Sequence, residues 1–185
     1  MAFDEASYLY KTIKTIKAGK FAEVGRFKGG STFLIAAAMD ESSTLDSYDI
    51  HLISYLVDSK NSKELVNGSV LDNELIKILK QFDLNDRVNL IVENSNNARL
   101  TNEYYDLVII DGDHSYDGVK KDFLHWKSSL KRNGHIFFHD AVKTRPFSSA
   151  NPGSIKLMNE IKSNYNNEFT LKKEIGTLIH FQKTK

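Results

Sequence analysis

The chain contains no cysteine, so it can form neither a disulfide nor a thiolate metal site. A reducing cytoplasm is the simplest compartment for such a protein. The formal net charge is only +1, which gives no overall field to attract nucleic acid or an anionic membrane. No apolar run approaches the ~20 residues that cross a bilayer, and residues 1–6 lack the basic region and apolar block of a secretory signal. We therefore expect a cytoplasmic protein whose partner is neither nucleic acid nor a membrane.

Proline is also scarce, and its two positions mark a loop. Pro146 and Pro152 both lie within residues 143–153, together with serine, asparagine and glycine. That composition predicts a mobile loop. The length of 185 residues predicts a single domain. We divide it into an N-terminal helix (1–19), a core (20–142), this loop, and a C-terminal helix with a hairpin (154–185).

Patterns typical of strands and helices alternate along the core. Short apolar segments predict strands at residues 21–25, 49–57, 87–92, 105–110 and 134–138. Apolar residues at helical spacing predict helices at residues 4–18, 60–82 and 118–130. This alternation predicts a parallel sheet with right-handed crossovers. Residues 169–173 and 177–181 flank a short turn and predict a closing antiparallel hairpin.

Two of the predicted strands run directly into titratable side chains. These side chains are Asp111, Asp113 and His114 after the strand at 105–110, and His139 and Asp140 after the strand at 134–138. The carboxyl ends of parallel strands lie at one edge of the sheet, where open α/β sheets bind ligands. The sequence therefore predicts a functional site at this edge.

The chemistry of that site has three interpretations. If the two strands are neighbours, about 4.8 Å apart, Asp111 and Asp140 can converge on one ion. Carboxylate and neutral imidazole donors suit Mg²⁺ or another divalent cation. Alternatively, His114 or His139 acts as a general base without a metal. In the third interpretation one histidine and one acid only hydrogen-bond to loops.

A glycine-rich turn follows the first predicted strand. It contains Gly25, Gly29 and Gly30, preceded by Glu23 and followed by Ser31 and Thr32. Glycines let the backbone approach a ligand closely and adopt a positive φ. Their spacing does not fit the Gly-x-Gly-x-x-Gly fingerprint of dinucleotide binding. An acid two residues before the first glycine suits a ligand with a positive group better than one with two phosphates. The alternative is a structural turn in which Ser31 or Thr32 caps the helix.

Asp58 stands at the end of the second predicted strand. An acid at this place can accept both ribose hydroxyls of a nucleoside. The alternative is a solvated loop carboxylate, and Asp49 is the rival candidate if the strand is misplaced.

Taken together, these residues resemble a class I S-adenosylmethionine-dependent methyltransferase of methyltransferase family 24, the macrocin O-methyltransferase-like branch. The pattern Glu-x-Gly-x-x-x-Gly-x-Ser-Thr is met at residues 23–32, and Ile-Asp-Gly-Asp-His-Ser-Tyr at 110–116. Asp122 and Trp126 meet Asp-x-x-x-Trp, and residues 130–140 meet Leu-Lys-x-x-Gly followed by an apolar run into His-Asp. The resemblance covers residues 20–142 well and the tail in shape only.

The resemblance implies a Rossmann-like, mostly parallel sheet of seven strands in the order 3-2-1-4-5-7-6, with the last strand antiparallel and helices on both faces. It implies S-adenosylmethionine as the cofactor of the core. The implied cofactor-binding residues are Glu23, Gly25, Gly29, Ser31 and Thr32 at the methionine end, Asp58 at the ribose, Asn94 and Ser95 at the adenine, and Asp111. The implied ligands for magnesium or another divalent cation are Asp111, His139 and Asp140, although relatives often have two acids where His139 and Asp140 stand.

The implied activity is O-methylation of a small hydroxylated acceptor, such as a sugar, and relatives of this kind often form homo-oligomers. Asp111, His114 and His139 are the candidate catalytic residues, since the enzyme must position the acceptor oxygen and remove its proton. One alternative is a nucleotide-dependent enzyme of another class, such as a dehydrogenase, which the glycine spacing opposes. Another is a partner module that binds the cofactor without catalysis. The strand-end acids argue against it, because buried carboxylates cost free energy unless they are paired.

Overall fold

The computed structural model describes residues 1–51, 68–144 and 150–185 in full, and residues 55–59 and 62–66 by their backbone. Nine strands are described: β1 Lys20–Val24, β2 Thr44–Asp49, β3 Tyr55–Ser59, β4 Ser62–Val66, β5 Val88–Val92, β6 Tyr105–Ile110, β7 Leu130–Phe138, β8 Phe169–Ile175 and β9 Leu178–Lys183. The helices are α1 Phe3–Lys14, α2 Gly30–Ala38, α3 Gly68–Gln81, α4 Tyr116–Trp126 and α5 Pro152–Asn164. Within the described ranges, no helix has the length and apolar character needed to cross a membrane.

Seven of the strands form one sheet in the order β5-β2-β1-β6-β7-β9-β8, and β3 and β4 form a separate antiparallel pair. Five neighbouring strands of this sheet are mutually parallel, and they are β5, β2, β1, β6 and β7. Strand β9 is antiparallel to both of its neighbours, β7 and β8. Counting only the strands of the large sheet gives 3-2-1-4-5-7-6 with the last strand antiparallel. The predicted order is therefore confirmed.

The central strands are buried on both faces, as the continuous apolar runs predict. Successive side chains of a strand point to opposite faces. Val108 and Ile110 pack with α4 and α5, while Leu107 and Ile109 pack on the other side with α1, α2 and α3. Helices thus cover both faces of the sheet, and the two cores share β1, β6 and β7 as their common wall.

The predicted second strand was wrong in its position. Residues 49–57 are the more apolar segment, but the strand that pairs with β1 is Thr44–Asp49, aligned from Lys20 opposite Thr44. The buried residues of β2 include Ser47 and Tyr48, which are polar. The position of this strand is therefore determined by its tertiary packing and not by the hydrophobicity of its sequence. The predicted helix at 60–82 is likewise replaced by strand β4 followed by α3, which begins at Gly68.

The loop prediction at 143–153 is also partly wrong. Pro152 is the first residue of α5, a place where its missing N–H costs nothing and its fixed φ suits a helix. Residues 145–149 lie outside the described part of the chain, so the predicted mobility stays a prediction.

A partly buried chain of polar rings joins α1 to the sheet. The hydroxyl oxygen of Tyr8 lies 2.8 Å from His180 Nδ1, and His180 Nε2 lies 2.9 Å from His135 Nδ1. The His180 ring stacks on Phe137 with 4.1 Å between centroids and 8° between planes. Burial, together with the charges of His135 and Lys172, lowers the pKa of His180 to about 3. His180 is therefore neutral in the folded protein at neutral pH.

We predict that acid destabilises the protein through this histidine. The unfolded chain protonates His180 near the ordinary histidine pKa of about 6.5, whereas the folded chain resists protonation until about pH 3. The free energy of unfolding should therefore fall as the pH drops below about 6.5, by up to roughly 1.4 kcal/mol per pH unit from this residue. Urea unfolding of the wild type and of His180→Gln, which does not titrate, measures it. Equal acid dependence in the two proteins would contradict the prediction.

Candidate active site

The hydrogen-bond ladder of the parallel strands continues one residue beyond their carboxyl ends. The bonds are Glu93 N to Asp49 O at 3.0 Å, Gly25 N to Tyr48 O at 2.9 Å, Asp111 N to Val24 O at 2.8 Å, and His139 N to Ile110 O at 3.1 Å. The first loop residues after β5, β1, β6 and β7 are therefore held in one row. This row brings together loops that are far apart in the sequence.

A cleft of about 590 Å³ opens along this edge, within the usual size of small-molecule sites. Its lining includes four of the predicted cofactor-binding residues, which are Gly25, Asn94, Ser95 and Asp111. It also includes Asp49, the rival candidate for the ribose. The lining residues that were not predicted as ligands are Val24, Phe27, Tyr48, Ile50, Glu93, Asn96, Gly112, Asp113, Gly118, Lys121 and Asp122. The cleft thus collects side chains from the carboxyl ends of β1, β2, β5 and β6.

Gly25 is required by close backbone packing at the centre of the cleft. Its φ is +86°, and a Cβ placed there would lie 2.4 Å from the carbonyl oxygen of Asp111. Gly29 also has a positive φ, of +77°, and is the N-cap of α2. Neither Ser31 nor Thr32 therefore caps that helix, and the capping interpretation was wrong. A glycine at the cap leaves the backbone N–H groups uncovered by a side chain.

Glu23 lies behind this turn and does not line the cleft. It has no exposed surface, and Oε2 accepts hydrogen bonds from Thr32 Oγ1 and Ser47 Oγ, both at 2.6 Å. Burial raises the pKa of Glu23, and the hydroxyls of Ser31, Ser47 and Thr32 counter this only in part. The side chain connects β1, β2 and α2, so it supports the glycine turn from beneath. Ser31 is half-buried at the start of α2.

Asp49 occupies the strand-end position that the sequence assigned to Asp58. It ends β2, lines the cleft, and accepts hydrogen bonds from the N–H groups of Arg26 and Phe27 at 3.0 Å each and of His51 at 2.9 Å. The end of the second strand is at Asp49 and not at Asp58, because the strand is Thr44–Asp49. The side chain of Asp58 lies outside the described residues, so its role stays a prediction.

Arg26 is a structural element of the cleft that the sequence reasoning missed. It is only 2% exposed, and its guanidinium binds Asp72 with two hydrogen bonds of 2.7 and 2.6 Å. The same group donates to the carbonyls of Ser47 at 2.8 Å and Ile91 at 3.0 Å. Arg26 thereby joins β2, β5 and α3 under the cleft. An arginine within a glycine turn gives no sequence signal for this burial.

The adenine side of the predicted site is organised around Asp122. Ser95 Oγ donates to Asp122 Oδ1 at 3.0 Å, and Asn96 Nδ2 donates to the same oxygen at 2.8 Å. Burial raises the pKa of Asp122, and these two hydrogen bonds lower it in part. The contacts fix the 3-10 turn Ser95–Asn97 at the cleft wall.

The predicted catalytic cluster comes together at the ends of β6 and β7. Asp111, His139 and Asp140 each offer one ligand atom, and these atoms lie within 4.8 Å of one another. His139 Nδ1 lies 3.3 Å from Asp111 Oδ1 and 3.5 Å from Asp140 Oδ1. His114 Nε2 lies 3.7 Å from a carboxylate oxygen of each acid. Asp111 belongs both to this cluster and to the cleft wall.

His139 is the more enclosed of the two histidines, with its side chain 11% exposed against 28% for His114. Burial lowers the pKa of His139, but the hydrogen bond and charge of Asp111, with the charge of Asp140, outweigh burial and raise it. The opposite ring nitrogen, Nε2, faces Glu5 of α1 at 3.4 Å. The N-terminal helix therefore takes part in the site, which no local sequence pattern indicated.

The sequence of the chain matches a family described as a methyltransferase domain, over residues 22–141. The chain belongs to this methyltransferase family. No protein among the curated proteins matches the sequence.

Solved structures share the fold at low sequence identity. A proposed rRNA methylase from Clostridium thermocellum superposes with a TM-score of 0.69 at 14% identity, over 99% of each chain. The O-methyltransferase TomG from Streptomyces achromogenes, in complex with S-adenosylmethionine, gives 0.68 at 11% identity, over 100% of this chain and 82% of that one. A methyltransferase from Geobacter sulfurreducens gives 0.67 at 15%, over 100% and 80%. The methyltransferase therefore has the Rossmann-like fold of the S-adenosylmethionine-dependent enzymes.

We predict that Gly25→Ala disables cofactor binding by this methyltransferase. An alanine would need a positive φ and would collide with the Asp111 carbonyl, a strain on the order of 1–3 kcal/mol. Calorimetry with S-adenosylhomocysteine should show affinity reduced by about tenfold or more. Gly30→Ala is the matched control, because no atom lies within 4 Å of its added Cβ. Equal binding by Gly25→Ala and Gly30→Ala would contradict the prediction.

Proposed function

We propose that this methyltransferase transfers the methyl group of S-adenosylmethionine to a hydroxyl oxygen of a small acceptor. The observation that carries the proposal is the location of Asp111. This residue lines the cleft, and its Oδ1 also lies 3.3 Å from His139 Nδ1 in the cluster. A cofactor in the cleft would present its sulfonium methyl beside a cluster of two acids and two histidines. Proton-accepting groups next to the methyl are what transfer to a hydroxyl requires.

The lining of the cleft supports an orientation for the cofactor. The glycine turn around Gly25 takes the methionine end, where the backbone can approach closely. Asp49 takes the ribose hydroxyls, as an acid at the end of the second sheet strand does in nucleotide-binding sheets. Asn94 and Ser95 flank the adenine. The methyl then points toward Asp111, at the end of β6.

The transfer needs alignment and the removal of one proton. The acceptor oxygen attacks the methyl carbon as the carbon–sulfur bond breaks, which yields a methyl ether and S-adenosylhomocysteine. The hydroxyl proton passes to His114, the more exposed imidazole of the cluster, whose Nε2 faces both Asp111 and Asp140. Holding the oxygen in line with the carbon–sulfur bond lowers the barrier by several kcal/mol, on the order of the effect of intramolecular alignment.

The donor set of the cluster fits a divalent cation. Two carboxylates and one imidazole lie within 4.8 Å of one another, and this mixture suits Mn²⁺ or a similar ion better than the all-oxygen sites of Mg²⁺. Asp111, His139 and Asp140 would hold the ion. Its chemistry would be to lower the pKa of the acceptor hydroxyl and orient it.

The acceptor is proposed to be a small molecule. With a formal net charge of +1, the chain lacks the basic surplus that attracts nucleic acid. TomG, which shares the fold, is an O-methyltransferase involved in tomaymycin synthesis, and this supports methyl transfer to an oxygen.

We predict that Asp111→Asn lowers kcat by about 10²-fold or more, because the cluster loses the carboxylate that faces both histidines. The change keeps the size of the side chain, so S-adenosylhomocysteine should still bind. Turnover is measured with a panel of hydroxylated acceptors, following S-adenosylhomocysteine release. Asp117→Asn, a change of an exposed acid on α4, is the control and should leave kcat unchanged.

A chelator added to the same assay tests the metal. Loss of activity in EDTA that Mn²⁺ restores supports the ion held by Asp111, His139 and Asp140. Unchanged rates in EDTA would remove the ion and leave His114 or His139 as the base. Full activity of Asp111→Asn would contradict the proposed site itself. If the wild type binds the cofactor but methylates no acceptor, the alternative of a non-catalytic partner module is supported instead.

We predict that Asp49, rather than Asp58, holds the ribose. Asp49→Ala should weaken S-adenosylhomocysteine binding by about tenfold or more, since hydrogen bonds to a charged group are worth roughly 1.5–3 kcal/mol. Asp58→Ala should bind as the wild type does. Calorimetry on both variants measures this, with thermal unfolding to check that the Asp49 loop is intact. Weaker binding in Asp58→Ala alone would return the ribose to Asp58.

A further inference from the structure

Asp72 of α3 is a buried acid that does not itself line the cleft. Its carboxylate contacts the side chains of two residues from different loops, Arg26 in the glycine turn and His51 after β2. Arg26 Nε donates to Asp72 Oδ1 at 2.7 Å and Arg26 Nη2 to Oδ2 at 2.6 Å, while His51 Nε2 lies 2.8 Å from Oδ2. A guanidinium that binds both oxygens of a carboxylate fixes the orientation of both groups. Asp72 therefore ties the glycine turn and the loop after β2 to α3.

The main-chain N–H groups of the same two residues hold Asp49. Arg26 N and Phe27 N each donate to Asp49 Oδ2 at 3.0 Å, and His51 N donates to Asp49 Oδ1 at 2.9 Å. The glycine turn thus holds one oxygen of this carboxylate, and the loop after β2 holds the other. Arg26 and His51 each contact Asp72 through the side chain and Asp49 through the backbone.

Two of the three N–H donors belong to residues with an unusual backbone conformation. The φ angles of Phe27 and His51 are +47° and +45°, in the left-handed region that residues other than glycine rarely adopt. Such a conformation costs free energy and persists only where surrounding contacts hold it. At His51 these contacts come from α3, since Asp72 binds the ring and a Cβ at Gly68 would lie 2.7 Å from His51 Cγ. The conformation that directs the His51 N–H to Asp49 is therefore supported by α3.

The side chains of this network are enclosed beneath the cleft. Their exposed fractions are 1% for Arg26, 12% for Asp72 and 15% for His51. A buried ion pair adds little to stability, because hydrophobic residues of similar volume often stabilise a fold as well or better. Removing one partner of such a pair is nevertheless costly, since it leaves a buried charge without compensation. The contacts of the network therefore favour a positioning role, in which α3 is connected to the two segments around Asp49.

We propose that Asp72 is a positioning residue for the ribose of the cofactor, because it holds the two segments whose N–H groups orient the carboxylate of Asp49. Asp72 itself does not touch the cofactor. The proposal rests on the function proposed above, in which Asp49 accepts the ribose hydroxyls. It gives α3, which supplies no residue to the cleft lining between Gly68 and Gln81, control over how tightly these hydroxyls are bound.

A purely structural role for Asp72 predicts a different pattern of binding. If Asp72 only stabilises the fold, its loss weakens the binding of every part of the cofactor alike. If it positions Asp49, the loss falls on the ribose hydroxyls. The 2′-deoxy and 3′-deoxy analogues of S-adenosylhomocysteine separate the two cases, because they keep the adenine and the methionine end and lack one hydroxyl each.

Calorimetry of the full chain with S-adenosylhomocysteine and the two analogues tests the proposal. The wild type should bind S-adenosylhomocysteine at least about tenfold more tightly than one of the analogues, as expected for a hydrogen bond to a charged group. Asp72→Asn keeps the size of the side chain but makes one of its two acceptor positions a donor, so it cannot hold both Arg26 and His51. In this variant the preference should fall below about threefold, while the affinity for that analogue stays within about threefold of the wild type.

Glu74→Gln is the matched control, because it changes an exposed acid of the same helix. It should keep the preference of the wild type. An Asp72→Asn protein that keeps this preference, or that loses affinity for all three ligands by the same factor, would overturn the proposal. His51→Ala decides the question should Asp72→Asn fail to fold, because it removes the ring and leaves the pair of Arg26 and Asp72 in place. It should lower the preference, and an unchanged preference would overturn the proposal.

Amide hydrogen exchange without ligand, followed by nuclear magnetic resonance, gives the second measurement. The N–H groups of Arg26, Phe27 and His51 should exchange slowly in the wild type and in Glu74→Gln, and faster in Asp72→Asn, where the loops open locally. Unchanged exchange in Asp72→Asn would overturn the link between Asp72 and Asp49 and leave the proposed function intact. A wild type that binds all three ligands equally would overturn the ribose assignment and this proposal with it. A wild type that binds none of them would contradict the cofactor of the proposed function as well.

Discussion

The structure depends on the ladder of hydrogen bonds that runs past the carboxyl ends of the parallel strands. Backbone N–H groups of Glu93, Gly25, Asp111 and His139 each bond to a carbonyl of the adjacent strand, so four loops begin in one row. The spacing of neighbouring strands then fixes the spacing of the side chains that follow. The cleft and the cluster of acids and histidines at the ends of β6 and β7 follow from this alignment, which brings together loops that are far apart in the sequence.

Polar groups that are buried beneath the cleft keep this edge in shape. Glu23 joins the glycine turn to β2 through hydroxyls, while Arg26 and Asp72 join the turn to α3 through two short hydrogen bonds. Breaking such a buried pair leaves an uncompensated charge, at a cost of roughly 3–5 kcal/mol. The residues that line the cleft therefore lie on a layer of charged and hydroxyl groups that are themselves buried.

The strand ends that form the site were predicted from local patterns in the sequence. An apolar run into Asp111 and another into His139 mark strands buried on both faces, and the alternation of strands and helices predicted a parallel sheet. The order of the strands came from the family resemblance, and the structure confirms it. The second strand was misplaced because Thr44–Asp49 is more polar than the segment after it, and its pairing with β1 decides its position. Glu5 could not be predicted, because its partner Thr177 is 172 residues away.

The contacts of α1 have a consequence for the order of assembly. Glu5 and Tyr8 each bond to residues 172 positions later, in the turn before β9 and in β9 itself. Such long-range pairings form late, because the entropy of closing a long loop opposes them. The docking of α1 is therefore completed only when β9 has joined the sheet. A folding intermediate in which β9 is still unpaired leaves the carboxylate of Glu5 without its hydrogen bonds to Thr177.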